Sequence, residues 1–371
     1  MRDPALSVGS HISLFAGVGM TDIAIEKAGF KTIATAEIDP WARGILRLRY
    51  PDAMHFEDVK DVRMTASARH RLGATPTARM LSGRGPLMVS GGFPCQDVSS
   101  AGTGAGIAGA RSGLWSEFAR VIFEFQPDYV LIENSAMLRA RGLNVILHDL
   151  VDLGYDARWD CIPAAAVGAP HLRDRMFVVA VKCYPEWSEP DDADDCIATY
   201  RKDGGVGDPA TGEAITVLPR AGSMTNGYIF EEEPMAPIRL AKTANLAWFP
   251  GRSAARLFPT PTKSDGSGGP GTSPKRTGGN NLRTQIAIES GNGRLNPAWV
   301  EWMMGLPLGW TSPFVTNSAL GPIAPWDSEP VPRTASLNLK DRNKRLRALG
   351  NGLVWQCVSR ALTMIPNNEE E

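Results

Sequence analysis

The strongest constraint on the fold is the alternation in the first half of the chain. Short apolar runs recur there with amphipathic stretches between them. HISLFAG (11–17), KTIATAE (31–37), PLMVS (86–90), DYVLIE (128–133), YDARWDCI and RMFVVAV read as strands. TDIAIEKAGF, DPWARGILRLRY, GLWSEFARVIFEF (113–125) and the stretch around Asn144–Leu153 read as helices. Thr21 or Asp22 is expected to cap the first helix and Gly29 to end it. Asp39 and Pro40 are the cap and first residue of the second. Strands alternating with helices predict an α/β fold, its sheet mostly parallel and covered on both faces. Ligands in such sheets gather at the carboxyl ends of strands.

FAGVGM (15–20) lies between the first strand and the first helix. Gly17 and Gly19 read either as a plain turn or as a place where backbone approaches a ligand. A dinucleotide fingerprint needs a third glycine, and Asp22 stands there instead. Glu37 ends the second strand and Asp58 follows the third. Each alone reads as a solvated carboxylate. Together they fit a nucleoside, with ribose hydroxyls on Glu37 and an adenine amino group on Asp58. S-adenosylmethionine is a nucleoside of this kind, with no pyrophosphate to cradle.

GGFPCQDVSSAG (91–102) holds Cys95 in a glycine- and proline-framed turn at a strand end. By itself Cys95 reads as a small buried hydrophobe or as a nucleophile. The chain has five cysteines, scattered and odd in number, with no C-x-x-C pair, so no zinc site or disulfide framework is expected. The amino terminus lacks the apolar stretch of a signal peptide, and no run reaches the ~20 apolar residues of a membrane span. A cytoplasmic protein with no membrane partner is expected. The formal net charge of −1 gives no global sign of a nucleic-acid partner, so any such surface must be local.

Two further motifs bear chemistry. LIENS ends a strand with Glu133 and Asn134. HLRDRMF (171–177) places Arg173 and Arg175 two apart, on one face if the strand is extended. These groups read as a surface ion pair or as a catalytic set beside Cys95, where a cation favours the thiolate.

In order along the chain, LFAGVGM, AEIDPWA, FEDVKDV, GGFPCQDVSSAG, RSGLW, LIENS, APHLRDRMFVV and RLRALGNGLV resemble the DNA (cytosine-5) methyltransferase family of bacterial and phage type. The resemblance implies a Rossmann-like S-adenosylmethionine-dependent methyltransferase fold with a second, smaller and irregular target-recognition domain. It implies methyl transfer to carbon 5 of a flipped-out cytosine in double-stranded DNA. Cys95 is then the nucleophile at carbon 6. Glu133 bonds the ring N3 and amino group, Arg175 holds O2, and Arg173 joins them as a catalytic residue. Pro94 and Asn134 support the cysteine loop and the glutamate. Phe15, Gly17, Gly19, Glu37, Ile38, Asp58, Val59, Leu114, Asn351 and Gly352 bind S-adenosylmethionine. Gln96 and Ser99 contact DNA.

This chain departs from the family pattern at three points. His171 stands where glutamine is usual, either as a substitute donor to the loop or DNA backbone or as a tolerated change. Ser135 replaces a valine. Ile38 replaces an aromatic residue that stacks on adenine, which is expected to weaken cofactor binding.

The expected organisation is a catalytic domain over 1–184, a target-recognition domain over 185–339 and a C-terminal segment, 340–371, returning to the first. Lys263, Lys275, Arg276 and Arg283 are read as DNA contacts. Lys340, Arg342, Lys344 and Arg345 form a second basic cluster, for phosphate or simply exposed. Trp299, Trp302 and Trp310 are read as core. The acidic stretch 187–195 should face away from DNA. The chain is expected to act as a monomer, with a cognate restriction endonuclease an optional partner. The alternatives are an RNA cytosine-5 methyltransferase and an inactive DNA-binding scaffold.

Overall fold

The computed structural model describes residues 8–94, 113–183, 257–267, 280–291, 293–336 and 339–365, and the backbone of 222–225 and 228–230. The chain opens with β1 (Gly9–Leu14), α1 (Met20–Lys27), β2 (Phe30–Ala36), α2 (Pro40–Arg49) and β3 (Met54–Phe56). Two short helices, α3 (Ala66–Leu72) and α4 (Pro76–Leu81), lead to β4 (Leu87–Gly91). Then come α5 (Leu114–Phe125), β5 (Tyr129–Ser135), α6 (Leu143–Asp152), β6 (Tyr155–Pro163) and β7 (Asp174–Lys182). The second half contributes β8 (Gly222–Thr225), β9 (Tyr228–Phe230), α7 (Leu282–Glu289), β10 (Arg294–Leu295) and α8 (Pro297–Met303). β11 (Thr334–Ala335), α9 (Arg342–Asn351) and α10 (Trp355–Leu362) follow.

One sheet runs in the order β3-β2-β1-β4-β5-β7-β6-β8-β9. The pairings from β3 to β5 are parallel, as the alternation predicts, and those from β5 to β9 are antiparallel. The connections leaving β1 and β4 diverge to opposite sides. This reversal opens a crevice at the carboxyl ends of these two strands.

Side-chain alternation sorts the strands between two apolar layers. Leu87, Val89, Val130, Ile132, Met176 and Val178 pack on one face with Phe118, Ile122, Ile146 and Leu150 of α5 and α6. Met88, Leu131, Phe177 and Val179 face the other way, into a layer with α1, α2, α9 and α10. That second layer also contains Phe258, Leu282, Ile286, Trp299, Val300 and Trp310. The described residues of 257–336 therefore share an apolar layer with α1 and α2, and β8 and β9 extend the main sheet. Trp299, Trp302 and Trp310 are core residues, all buried.

Local signals explain most boundaries. Asp39 accepts from the amides of Trp41 and Ala42, both at 2.9 Å, and Pro40 opens α2. The first helix differs from expectation. Gly19, in the left-handed region, precedes Met20, and neither Thr21 nor Asp22 caps. Asp22 is buried within α1. It accepts from Ser13 at 3.0 Å and from Thr32 at 3.4 Å, beneath His11, whose Nε2 meets Ser90 Oγ at 2.8 Å. A helical residue pointing at the sheet finds polar strand side chains there, so its carboxyl is used across the layer and not at the helix end.

The described C-terminal helices α9 and α10 pack in the same layer as α1. Gly352 packs against Met20 of α1 so closely that a Cβ would collide with the thioether.

Candidate active site

The crevice is built from strand ends. Phe15, Gly17 and Gly19 follow β1, all with positive φ, at 53°, 57° and 79°. Phe15 stacks on Phe118 with ring centres 6.4 Å apart. Glu37, after β2, accepts from Gly17 N at 2.8 Å and from Asp39 N at 2.8 Å. Burial raises the Glu37 carboxyl above its ordinary range, and the two amide donors oppose that. Asp58, after β3, caps the turn at 59–61 by accepting from Lys60 N at 3.0 Å, and Val59 beside it is buried. Ile38 is 70% exposed. Leu114 is half-buried at the start of α5, and Asn351 and Gly352 end α9 beside α1.

These groups suit a nucleoside cofactor. Glu37 and Asp58 each keep acceptor lone pairs, and the exposed Ile38 offers an apolar surface to a flat ring. A nucleoside such as S-adenosylmethionine, with its hydroxyl and amino donors, fits this set of acceptors.

The second group lies at the ends of β4, β5 and β7. Arg175 Nε meets Glu133 Oε1 at 2.7 Å, with both side chains partly exposed. Asn134 is buried and donates from Nδ2 to the Phe93 carbonyl at 3.1 Å, two residues before Cys95. It thereby ties the end of β5 to the loop that carries Pro94. Gly92 is a feature that motif reading missed. A Cβ there would lie 2.6 Å from Glu133 Oε2, so the glutamate sits directly over that backbone. Its sequence signal was the doubled glycine that ends the strand.

Four expectations are corrected. Arg173 does not share a face with Arg175. It precedes β7 with φ 25°, so strand alternation does not reach it. Its buried guanidinium donates to the carbonyls of Pro261 at 2.9 Å, Gly350 at 3.0 Å and Gly352, and burial lowers its pKa to about 9. It clamps segments together and does not face substrate. His171 is fully buried, and burial pushes it down to about 3. A neutral side chain with no exposed surface makes no DNA contact. Arg283 donates to the carbonyls of Ser264, at 2.9 Å, and Ser267, so it shapes that turn. In the second basic cluster, Arg345 is buried against Glu301 at 2.9 Å and Arg342 donates to the Leu295 carbonyl at 2.9 Å. Lys263 is exposed. Cys95, Gln96, Ser99, the glycine-rich stretch 102–109, the acidic stretch 187–195, Lys275 and Arg276 lie outside the described residues.

The sheet and its crevice define a Rossmann-like α/β fold. The family model for C-5 cytosine-specific DNA methylase matches residues 9–217, more than half of the chain. The chain belongs to that family. Among curated proteins it is 28% identical over 177 residues to the type II methyltransferase M2.BsuMI of Bacillus subtilis, covering 46% of this chain and 41% of the relative. It is 33% identical over 182 residues to M.Eco47II of Escherichia coli, covering 47% and 40%. The chain thus spans less than half the length of these relatives. Spodoptera frugiperda DNMT2, in a mutant crystal form, superposes with a TM-score of 0.51 at 16% identity, covering 96% of this chain and 99% of that one, which bears on fold alone. No helix among the described residues is long and apolar enough to cross a membrane.

Proposed function

We propose that this protein is a DNA (cytosine-5) methyltransferase that modifies carbon 5 of a flipped-out cytosine in double-stranded DNA. The observation that supports the reading is the convergence of Glu133, Asn134 and Arg175 on Gly92 and Phe93, the residues that lead into the Cys95 motif, at the same strand ends as Gly17, Glu37 and Asp58.

The chemistry follows from what each group can do. Carbon 5 of cytosine is a poor nucleophile. The Cys95 thiolate adds to carbon 6, and the electron pair displaced from the ring double bond becomes available at carbon 5. Glu133 bonds N3 and the amino group and delivers a proton to N3 as negative charge builds. Arg175 engages Glu133 through Nε and the Asp174 carbonyl through Nη1, and Nη2 is the nitrogen offered to O2. Bound at the crevice, S-adenosylmethionine would supply an electrophilic methyl group for carbon 5, with its thioether as the leaving group. The carbon 5 proton then departs to solvent water, carbon 6 expels the Cys95 thiolate as the double bond re-forms, and N3 returns its proton to Glu133. A stacked cytosine exposes neither face of its ring to these groups, so base flipping is required.

Glu37 and Asp58 orient the nucleoside portion of the cofactor, and Phe15 packs beside it. Exposed Lys263, with Lys275 and Arg276, supplies phosphate contacts, and Gln96 and Ser99 act near the base. A companion restriction endonuclease is consistent with the type II methyltransferases that the chain resembles.

Bisulfite sequencing of DNA from cells expressing wild type or Cys95→Ala tests the reading. Protected cytosines in one short sequence context, with wild type only, are expected. Their absence with folded wild-type protein overturns it in favour of an RNA substrate or an inactive scaffold.

A further inference from the structure

The loop that joins β1 to α1 is held from behind by two side chains that no motif predicts. Trp310 Nε1 donates to the Val18 carbonyl at 2.8 Å. Tyr50 donates its hydroxyl to the Gly19 carbonyl at 3.0 Å. The two rings meet edge to face, with centres 6.2 Å apart and planes at 70°. Val18, Tyr50 and Trp310 are all buried. There is no slack in the contact, since a Cβ on Gly19 would lie 2.5 Å from the Tyr50 ring.

This support is itself anchored. The Arg49 guanidinium sits 5.4 Å from the centre of the Trp310 ring. It donates to the carbonyls of Trp310 at 2.8 Å, Gly309 at 2.9 Å, Ser312 at 3.1 Å and Val315 at 2.8 Å. Asn317 returns its amide to the Arg49 carbonyl at 2.9 Å. The end of α2 and residues 309–317 therefore form one fixed block. A peptide unit is planar, so fixing the Val18 and Gly19 carbonyls also fixes the planes that carry the next two amides. Those planes shape the Gly17–Gly19 turn at the mouth of the crevice.

We propose that Trp310 and Tyr50 are positioning residues for the cofactor. They pre-organise the Gly17–Gly19 loop and so set its affinity for S-adenosylmethionine without touching it. A loop already in its binding geometry loses less freedom on binding. The inference rests on the cofactor reading above. It assigns to residues 309–317, far along the chain from the crevice motifs, control over how tightly the cofactor is held.

Trp310→Phe keeps an aromatic ring in the core and removes the indole donor together with part of the ring volume, a loss that the Trp302→Phe control matches, and Tyr50→Phe removes only the hydroxyl. The control is Trp302→Phe. Trp302 is a buried indole of the same apolar layer that donates to the Pro325 carbonyl at 2.9 Å, away from the loop. Calorimetric titration with S-adenosylhomocysteine reads affinity, and amide hydrogen exchange of residues 15–20 in the ligand-free protein reads the loop. Trp310→Phe and Tyr50→Phe are expected to raise Kd about tenfold, the scale of a buried carbonyl losing its donor. They should also quicken exchange in the loop, raising KM for the cofactor with kcat held. Trp302→Phe should lower Tm comparably and leave Kd within about twofold. Equal Kd changes in all three variants, or unchanged exchange in Trp310→Phe, overturn the proposal and leave the cofactor reading standing. Wild-type protein that binds neither S-adenosylhomocysteine nor S-adenosylmethionine overturns the cofactor reading, and the proposal with it.

Discussion

Glu133 and Arg175 form their 2.7 Å ion pair on a diagonal, since Glu133 stands opposite Phe177 and Arg175 opposite Ser135 in the β5–β7 ladder. Diagonal positions in an antiparallel pair share a face, which brings a carboxylate and a guanidinium to the sheet edge together. Each group holds the other's rotamer in the absence of a base. The same Glu133 leans over Gly92, and its neighbour Asn134 holds the Phe93 carbonyl.

Replacing either partner should reduce chemistry more than binding. Glu133→Gln keeps the shape and loses the proton donor, so methyl transfer should fall by about 10²-fold or more. Arg175→Ala should cost about 10²–10³-fold by removing charge stabilisation at O2. Single-turnover transfer of labelled methyl groups reads these losses, with S-adenosylhomocysteine affinity unchanged in both.

Gly92→Ala tests the close approach under the glutamate. The added methyl must displace the Glu133 carboxylate, which sits 2.6 Å from where it would lie. Methyl transfer should fall at least about tenfold, a misplacement effect. Tm should change by only a few degrees, because that carboxylate is partly exposed and free to swing. Wild-type turnover in this variant would mean that Glu133 need not occupy its observed position.

Arg173→Ala should act on stability. It strips a buried donor from the carbonyls of Pro261, Gly350 and Gly352. Unfolding in urea should register a loss of about 3 kcal/mol. If Arg173 instead touched substrate, activity would fall with stability intact.

The buried Asp22 and His11 give a pH prediction with opposing signs. Burial pushes Asp22 up to about 7 from its ordinary 3.8. Between those values the native state holds a proton that the unfolded chain has released, so stability falls as pH rises. Burial pushes His11 down to about 3 from 6.5. Over that window the unfolded chain binds a proton that the native state refuses, so stability rises with pH. The two slopes offset one another where the windows overlap. Asp22→Asn should leave stability rising from about pH 4 to 6.5, and His11→Gln should leave it falling from about pH 4 to 7. Denaturation midpoints across that range, for both variants and wild type, check the signs.

Much of the site was legible because its signals are local. Asp39 and Pro40 mark the start of α2 by chemistry that acts within three residues. Gly17 and Gly19 announce positive φ by having no side chain. Glu133, Asn134 and Arg175 carry charge or amide groups at the ends of apolar runs, where a sheet must deliver them to one edge. Arg173 was misread because the two-residue period holds only inside a strand, and its φ breaks the extended chain one residue before β7 begins. His171 was left between a donor to the loop or DNA backbone and a tolerated change, and the packing of other segments over it excludes solvent, which removes the DNA contact. Asp22 was misread because a carboxylate in the first turn resembles a cap until the strands beneath it supply Ser13 and Thr32.

The amino-acid order contains the strand and helix periods, the turn chemistry and the reactive side chains, all properties of neighbours along the chain. Burial and partnership lie beyond it. Trp310 supports Val18 from the other end of the molecule, and Arg49 collects four carbonyls from residues 309–315. Such contacts leave no periodic trace, because they depend on which surfaces meet when the layers close. The chemistry available to the crevice was written locally, and the contacts that back its loop were settled by long-range packing.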